Sequence, residues 1–235
     1  MLNPNLDGGA LGRIYRQDQR VRVEGLLESG FADDVLKSLH SELKYDYVLF
    51  SQDKNQVLSE DQMNAMDQVG RQNLQQDLLQ LATQGIGFFY TAYRMDGENE
   101  QRAPAILKSL FSLMNNNQML NLIREITGVK NLASASGQFT RYRPGNYLTR
   151  HSDDITQESR QIAYVLNFTK HWHPDWGGLL QFYQKDGTPR DAWEPRFNSL
   201  YLFDVQHVHS VTYVTPYAAA PRYALTGWFR RGEDK

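Results

Sequence analysis

SGQFTRYRPGNYLTRHSDDI, residues 136–155, is where this 235-residue chain changes character. A run rich in β-favouring and aromatic residues meets the tight turn Pro144-Gly145-Asn146, and a second run then leads to His151, Ser152 and Asp153. That is the pattern of two strands joined by a turn. From about Ser134 onward the texture repeats in RQIAYVLNF (160–168), GLLQFYQ (178–184), NSLYLFDV (198–205), HSVTYV (209–214) and RYALTGWF (222–229). Short β-branched and aromatic runs separated by Gly-Gly, Asp-Gly and Pro-rich turns predict an antiparallel sandwich or barrel.

The preceding half reads mainly as helix. FADDVLKSLHSEL (31–43) carries Leu36, Leu39 and Leu43 at helical spacing, with acids near its start, where the helix dipole favours them. Ser59-Glu60-Asp61-Gln62 has the form of a capping box and predicts a long helix through about Thr83. Gly85 and Gly87 break that pattern before FFYTAYRM (88–95), a β-favouring stretch. Two more helices are expected around PAILKSLFSLM (104–114) and NQMLNLIREITG (117–128), the second stopped at Gly128. The expectation is one α+β domain over 1–235, with mainly helical support over 1–133 and a β core over 134–232.

Composition narrows the chemistry. A formal net charge of -2 offers no basic excess to neutralise phosphates, which argues against nucleic acid as a partner. No apolar run is long enough for a membrane span or a signal peptide, so a cytoplasmic location without membrane contact is expected. With no cysteine, disulfides, thiolate metal sites and cysteine nucleophiles are excluded. Any transition-metal site must therefore use imidazole and carboxylate. His40 stands alone, whereas His151, His171, His173, His207 and His209 crowd one quarter of the chain.

In a strand, residues i and i+2 point the same way, so His151 and Asp153 can meet one ion while Ser152 and Asp154 face elsewhere. The same triplet also occurs in surface turns with solvated charges, so other residues must decide. LYLFDVQHVHSVTYV (200–214) supplies His207 and His209, again at same-face spacing. Two imidazoles and a carboxylate on one face of an octahedron leave three adjacent positions open, the arrangement of non-haem iron(II) oxygenases. A zinc hydrolase uses the same residue types. Arg222 separates the two readings. It opens a strand whose alternate members Ala224, Thr226 and Trp228 share its face, and a guanidinium aimed into a β core calls for a carboxylate to grip. A surface arginine at a strand start is the plainer alternative.

Taken together, HSD at 151–153, HSV at 209–211 and RYALTGW at 222–228 resemble the iron(II)/2-oxoglutarate-dependent dioxygenases. Within these the chain is most similar to the prolyl-hydroxylase branch that contains the collagen, HIF and ribosomal-protein prolyl hydroxylases. The resemblance covers roughly residues 135–232 and includes RYRPGNYL and the LNFTKHW…WGGLLQFY passage. It implies a double-stranded β-helix, a jelly-roll or cupin-like barrel, buttressed by the N-terminal helices. It further implies that His151, Asp153 and His209 bind Fe(II), and that Arg222 pairs with the far carboxylate of 2-oxoglutarate. Tyr142 would place a phenol in the cosubstrate pocket, which Thr226 and Trp228 would line from the Arg222 strand. Tyr164 is a further candidate, its contribution depending on strand register. His207 has no ligand counterpart and is expected to be supporting or structural; His171 and His173 are expected in a loop.

The implied cofactors are Fe(II), 2-oxoglutarate and O2, with ascorbate in a supporting role. The implied reaction hydroxylates an unactivated C–H bond, foremost of a prolyl residue in a protein or peptide, and releases succinate and CO2. A free amino acid or small natural product is the alternative substrate, and a catalytically inactive barrel acting as a binding module is a separate class. Loop segments 52–58 and 96–102 are expected either to shape a substrate groove or only to buttress the barrel. Oligomeric state is not legible in the sequence.

Overall fold

The computed structural model describes residues 1–232. In chain order its elements are α1 (Gly8–Asp18), β1 (Arg20–Glu24), α2 (Ser29–Ser41), β2 (Asp46–Ser51), β3 (Lys54–Leu58), α3 (Glu60–Ala65), α4 (Gln68–Thr83), β4 (Phe88–Arg94), α5 (Gly97–Arg102), α6 (Ala105–Asn115) and α7 (Asn117–Thr127). Eight strands then follow: β5 (Leu132–Tyr142), β6 (Tyr147–His151), β7 (Arg160–Asn167), β8 (Leu180–Tyr183), β9 (Pro189–Trp193), β10 (Ser199–Asp204), β11 (His209–Val211) and β12 (Arg222–Arg231).

These eight strands make two antiparallel four-stranded halves, β10-β7-β12-β5 and β6-β11-β8-β9. Successive strands mostly cross from one half to the other, which is the double-stranded β-helix. Strand β4 pairs with both β5 and β6 and joins the halves along one side. The fold class expected from the short, turn-separated strands is the one observed.

Alternation along the strands divides the interior in two. Tyr223, Leu225 and Phe229 of β12, with Ile162, Tyr164 and Leu166 of β7, turn outward and pack in one cluster with Leu107, Leu110 and Ile123 of the helices. Ala224, Ala163 and Val165 turn inward and meet Leu180, Phe182 and Phe203 from the other half. Each fully buried aliphatic or aromatic side chain contributes about 1.5–3 kcal/mol. The helices therefore hold one face of the β7–β12 sheet rigid, leaving its inner face free to carry polar residues.

Several local expectations need correction. The capping box at Ser59 forms, with reciprocal bonds between Ser59 and Gln62, but the helix it opens ends at Ala65. Asp67 then caps a new helix by accepting from the Gly70 amide at 2.7 Å, so 60–83 is two helices. Helix α2 starts at Ser29, earlier than its leucines suggest, which moves Asp33 and Asp34 out of the first turn. Segment 52–58, expected as a loop, is the tip and second strand of a hairpin. Gln52 and Asp53 form its two-residue turn at φ 52° and 57°, the backbone that matches strand twist. Segment 96–102, also expected as a loop, contains α5. Strand β1, absent from the sequence reading, extends the sheet beyond β10.

Gly227 lies directly across from Gly137 in the β12–β5 ladder, and a Cβ on it would overlap the backbone carbonyl of Ser136. Backbone atoms in a paired sheet cannot step aside. Gly227→Ala is accordingly expected to destabilise the fold by about 3 kcal/mol or more in urea unfolding. Gly30→Ala, whose Cβ meets nothing within 4 Å, should leave stability unchanged or slightly raised.

Candidate metal centre and its cavity

Strands β6 and β11 bring the first two residues of the site face to face. His151 and His209 are register partners, with ring centroids 4.3 Å apart. The pairing depends on a bulge. From Leu148 to His151 the chain advances three residues while β11 advances two, from His209 to Val211. The extra residue re-aims the strand, so that Leu148 and His151 both line the barrel interior. Asp153 lies just past the end of β6, where its amide donates to the Val205 carbonyl at 3.1 Å. Its Oδ1 is 3.6 Å from His151 Nε2 and its Oδ2 is 3.5 Å from His209 Nε2. One donor atom from each of the three lies within 4.8 Å of the others.

Both imidazoles are oriented by backbone. His151 Nδ1 is 2.9 Å from the Thr149 carbonyl, and His209 Nδ1 is 2.9 Å from that of His207. A carbonyl only accepts, so Nδ1 carries the proton when the ring is neutral and the Nε2 lone pair faces the centre. Burial, reinforced by the neighbouring His151, pulls the His209 pKa down to about 4 and keeps that ring neutral. Burial also works on His151 and Asp153, but their mutual hydrogen bonding and charge outweigh it. His151 is left above its ordinary value and Asp153 below its own. A neutral imidazole, a carboxylate and a second imidazole that gives up its proton on binding are the donor set of a divalent transition metal.

The centre opens into a cavity of about 320 Å³ lined by all eight residues singled out in the sequence. Arg222, the register partner of Tyr142, is 3% exposed. The plainer alternative of a surface arginine is thereby excluded. Nη1 of Arg222 donates to the Gly178 carbonyl at 2.6 Å, while Nε, buried, has no partner. No carboxylate among the described residues pairs with it. A buried cation with an unsatisfied donor in a cavity is poised for an anionic ligand. The Tyr142 ring lies 5.5 Å from that guanidinium and stacks on Tyr90, and burial raises its hydroxyl well above the ordinary value, so it stays protonated and can donate. Thr226 and Trp228 face inward from β12 as the alternation requires.

Tyr164 borders the cavity, but its ring packs in the outward cluster beside Phe229, and its hydroxyl donates to the Ser136 carbonyl at 3.0 Å. Register places Val165, not Tyr164, opposite Thr226, so the inward position on β7 is apolar. His207 bonds through Nε2 to the Asp18 carbonyl at 2.9 Å, outside the cluster, and acts on it only through its own carbonyl. His171 and His173 are exposed, away from the centre. Sequence reasoning missed Tyr90 and Gln138, inside β4 and β5, and Arg160, the first residue of β7, which also line the cavity; no motif in the sequence marks them. A more open depression of about 670 Å³ beside Arg16, Asp18, Lys185 and Arg190 contains none of the three donor residues.

The comparisons agree with this geometry. Residues 137–230 match the model of the 2OG-Fe(II) oxygenase superfamily. In structure, the chain is similar to a prolyl-4-hydroxylase from Pseudomonas putida (TM-score 0.64, 18% identity, covering 96% of this chain and 100% of that one). A prolyl hydroxylase from Trichoplax adhaerens, in complex with a hypoxia inducible factor oxygen degradation domain peptide fragment, gives 0.64 at 16% identity over 95% of this chain and 89% of that one. An oxidoreductase of the 2OG-Fe(II) oxygenase family from Burkholderia pseudomallei gives 0.66 at 12% identity over 99% and 94%. No curated protein matches the chain. No helix among the described residues is long and apolar enough to cross a membrane.

Proposed function

We propose that this chain, whose residues 137–230 match the model of the 2OG-Fe(II) oxygenase superfamily and whose fold is prolyl-hydroxylase-like, is an oxygenase that uses iron(II), 2-oxoglutarate and dioxygen and hydroxylates a residue within a polypeptide, foremost a prolyl residue.

In this reading His151, Asp153 and His209 hold the iron, and Arg222 grips the distal carboxylate of 2-oxoglutarate with Tyr142 donating beside it. Iron(II), the oxo acid and dioxygen would together supply the oxidising chemistry, one oxygen atom of O2 passing to succinate as CO2 leaves and the other to the hydroxylated C–H position. The chain's own contribution is placement. Backbone carbonyls aim the two imidazoles, and Phe88, Tyr90 and Leu148 add apolar and aromatic surface to the cavity wall.

One observation favours a peptide over a free amino acid. Asp153 is the only carboxylate lining the cavity among the described residues, and it is committed to the metal. The Arg160 guanidinium is already held by Glu158. A free amino acid would bring an ammonium and a carboxylate close to the reacting carbon, and no unspent charge remains to meet the ammonium. A residue within a chain brings neither, and the neutral Asn55, Gln138 and Thr140 suit its amide groups. The Trichoplax relative was solved with a peptide fragment.

The test is succinate formation with proline-containing peptides and, separately, with free proline and other free amino acids. Peptides should raise turnover at least about tenfold over the uncoupled background, with a mass increase of one oxygen on the peptide. Stimulation by a free amino acid alone would overturn the peptide reading.

A further inference from the structure

Each histidine of the centre has a backbone carbonyl that aims it. Two groups outside the trio stand beside the Asp153 carboxylate: the buried indole N–H of Trp228, which has no other partner and helps hold the carboxyl below its ordinary pKa, and a guanidinium. The nearest charged group is Arg160, whose Nη1 stands 3.8 Å from Asp153 Oδ1.

Arg160 is itself unusually fixed. Its side chain is 10% exposed, and its guanidinium lies 3.5 Å over the Trp228 ring. Nε and Nη2 both donate to Glu158 Oε2, at 3.0 and 2.9 Å, leaving Nη1 as the nitrogen turned to Asp153. The same Glu158 oxygen accepts from Arg230 at 2.9 Å, and Arg230 is the cross-strand partner of Arg160. Two guanidinium groups thus share one carboxylate, and the surplus positive charge beside the centre is met by Asp153. A planar cation clamped on three sides loses little freedom when it steers a neighbour.

We propose that Arg160 is a positioning residue: its Nη1 keeps the Asp153 carboxylate turned between the Nε2 atoms of His151 and His209, supplying for the acid what backbone carbonyls supply for the imidazoles. The inference rests on the reading of that trio as the iron site. It gives Glu158 and Trp228 a shared purpose, as the clamp and the platform for one guanidinium.

The experiment measures iron(II) affinity anaerobically in the full chain for Arg160→Gln, Arg160→Lys and Glu158→Gln, with circular dichroism as the folding check. Arg160→Gln should weaken iron(II) binding by roughly 10- to 100-fold, the range for groups that orient a metal ligand. At saturating iron, 2-oxoglutarate affinity should change less than about threefold, since Arg222 is untouched. Arg160→Lys should not rescue iron affinity, because an ammonium lacks the planar stack and the fork. Glu158→Gln, half exposed and removed from the cavity, should weaken iron binding several-fold and serves if the arginine variants do not fold. Unchanged iron affinity in folded variants would overturn the inference, as would a loss confined to substrate KM. Failure of the unmodified chain to bind iron(II) would instead sink the parent reading, so the two failures are distinct.

Discussion

Replacing Asp153 with alanine is expected to abolish iron(II) binding and with it all turnover. The carboxylate is 7% exposed and is, among the described residues, the only anion lining the cavity, so its loss leaves two imidazoles with ring centroids 4.3 Å apart and nothing to offset the charge of a divalent ion. Nor can a neighbour replace it: Asp154 is exposed on the far side of the loop, and Glu158 is tied to two arginines. Anaerobic titration with iron(II) and 2-oxoglutarate is the direct measurement. The unmodified chain should develop the weak visible charge-transfer band that a chelated 2-oxo acid gives, while Asp153→Ala and His151→Ala should show none and form succinate only at background. A band of parental intensity in His151→Ala would mean that the cluster is not the iron site.

Arg222→Ala carries the second large effect. A buried guanidinium with one bond to a carbonyl and an unsatisfied Nε is a costly group to keep unless an anion visits it. Truncating one partner of a buried charge pair costs on the order of 2–5 kcal/mol, a loss of roughly 30- to several-thousand-fold in 2-oxoglutarate affinity. Iron affinity measured without cosubstrate should remain within a few-fold of the parent, because Arg222 bonds to the Gly178 carbonyl and to none of the three donor residues. Arg222→Lys should recover part of the loss, since a point charge survives but the two-pronged grip does not. Loss of iron with cosubstrate affinity intact would contradict the role.

The sequence was most informative where chemistry and periodicity coincide. Strands β5–β12 announce themselves through β-branched and aromatic runs between turn residues, and His151, Asp153, His209 and Arg222 stand out because such residues have few reasons to occupy a β core. What the sequence withheld depends on register and on local competition. Tyr164 and Val165 are adjacent in a continuously apolar strand, and only pairing with β12 reveals that Val165 is the one facing Thr226. The long helix through Thr83 broke because Asp67 offers the backbone a second cap, a contest the helical pattern does not register. Arg160 escaped notice because an arginine opening a strand looks ordinary until the indole beneath it and the carboxylate beside it are in place.

The extra residue in β6 has a consequence for how such barrels change over time. The proposed metal site is an option attached to the architecture and is not what holds it up: the halves cohere through Phe182, Phe203 and their neighbours whether or not His151 faces inward. Because side-chain direction flips with every residue, losing that one residue would turn the histidine to the other side of its strand while the surrounding ladders persisted. One residue in β6 thus separates a barrel that presents this histidine to the centre from one that does not, with the surrounding scaffold the same in both.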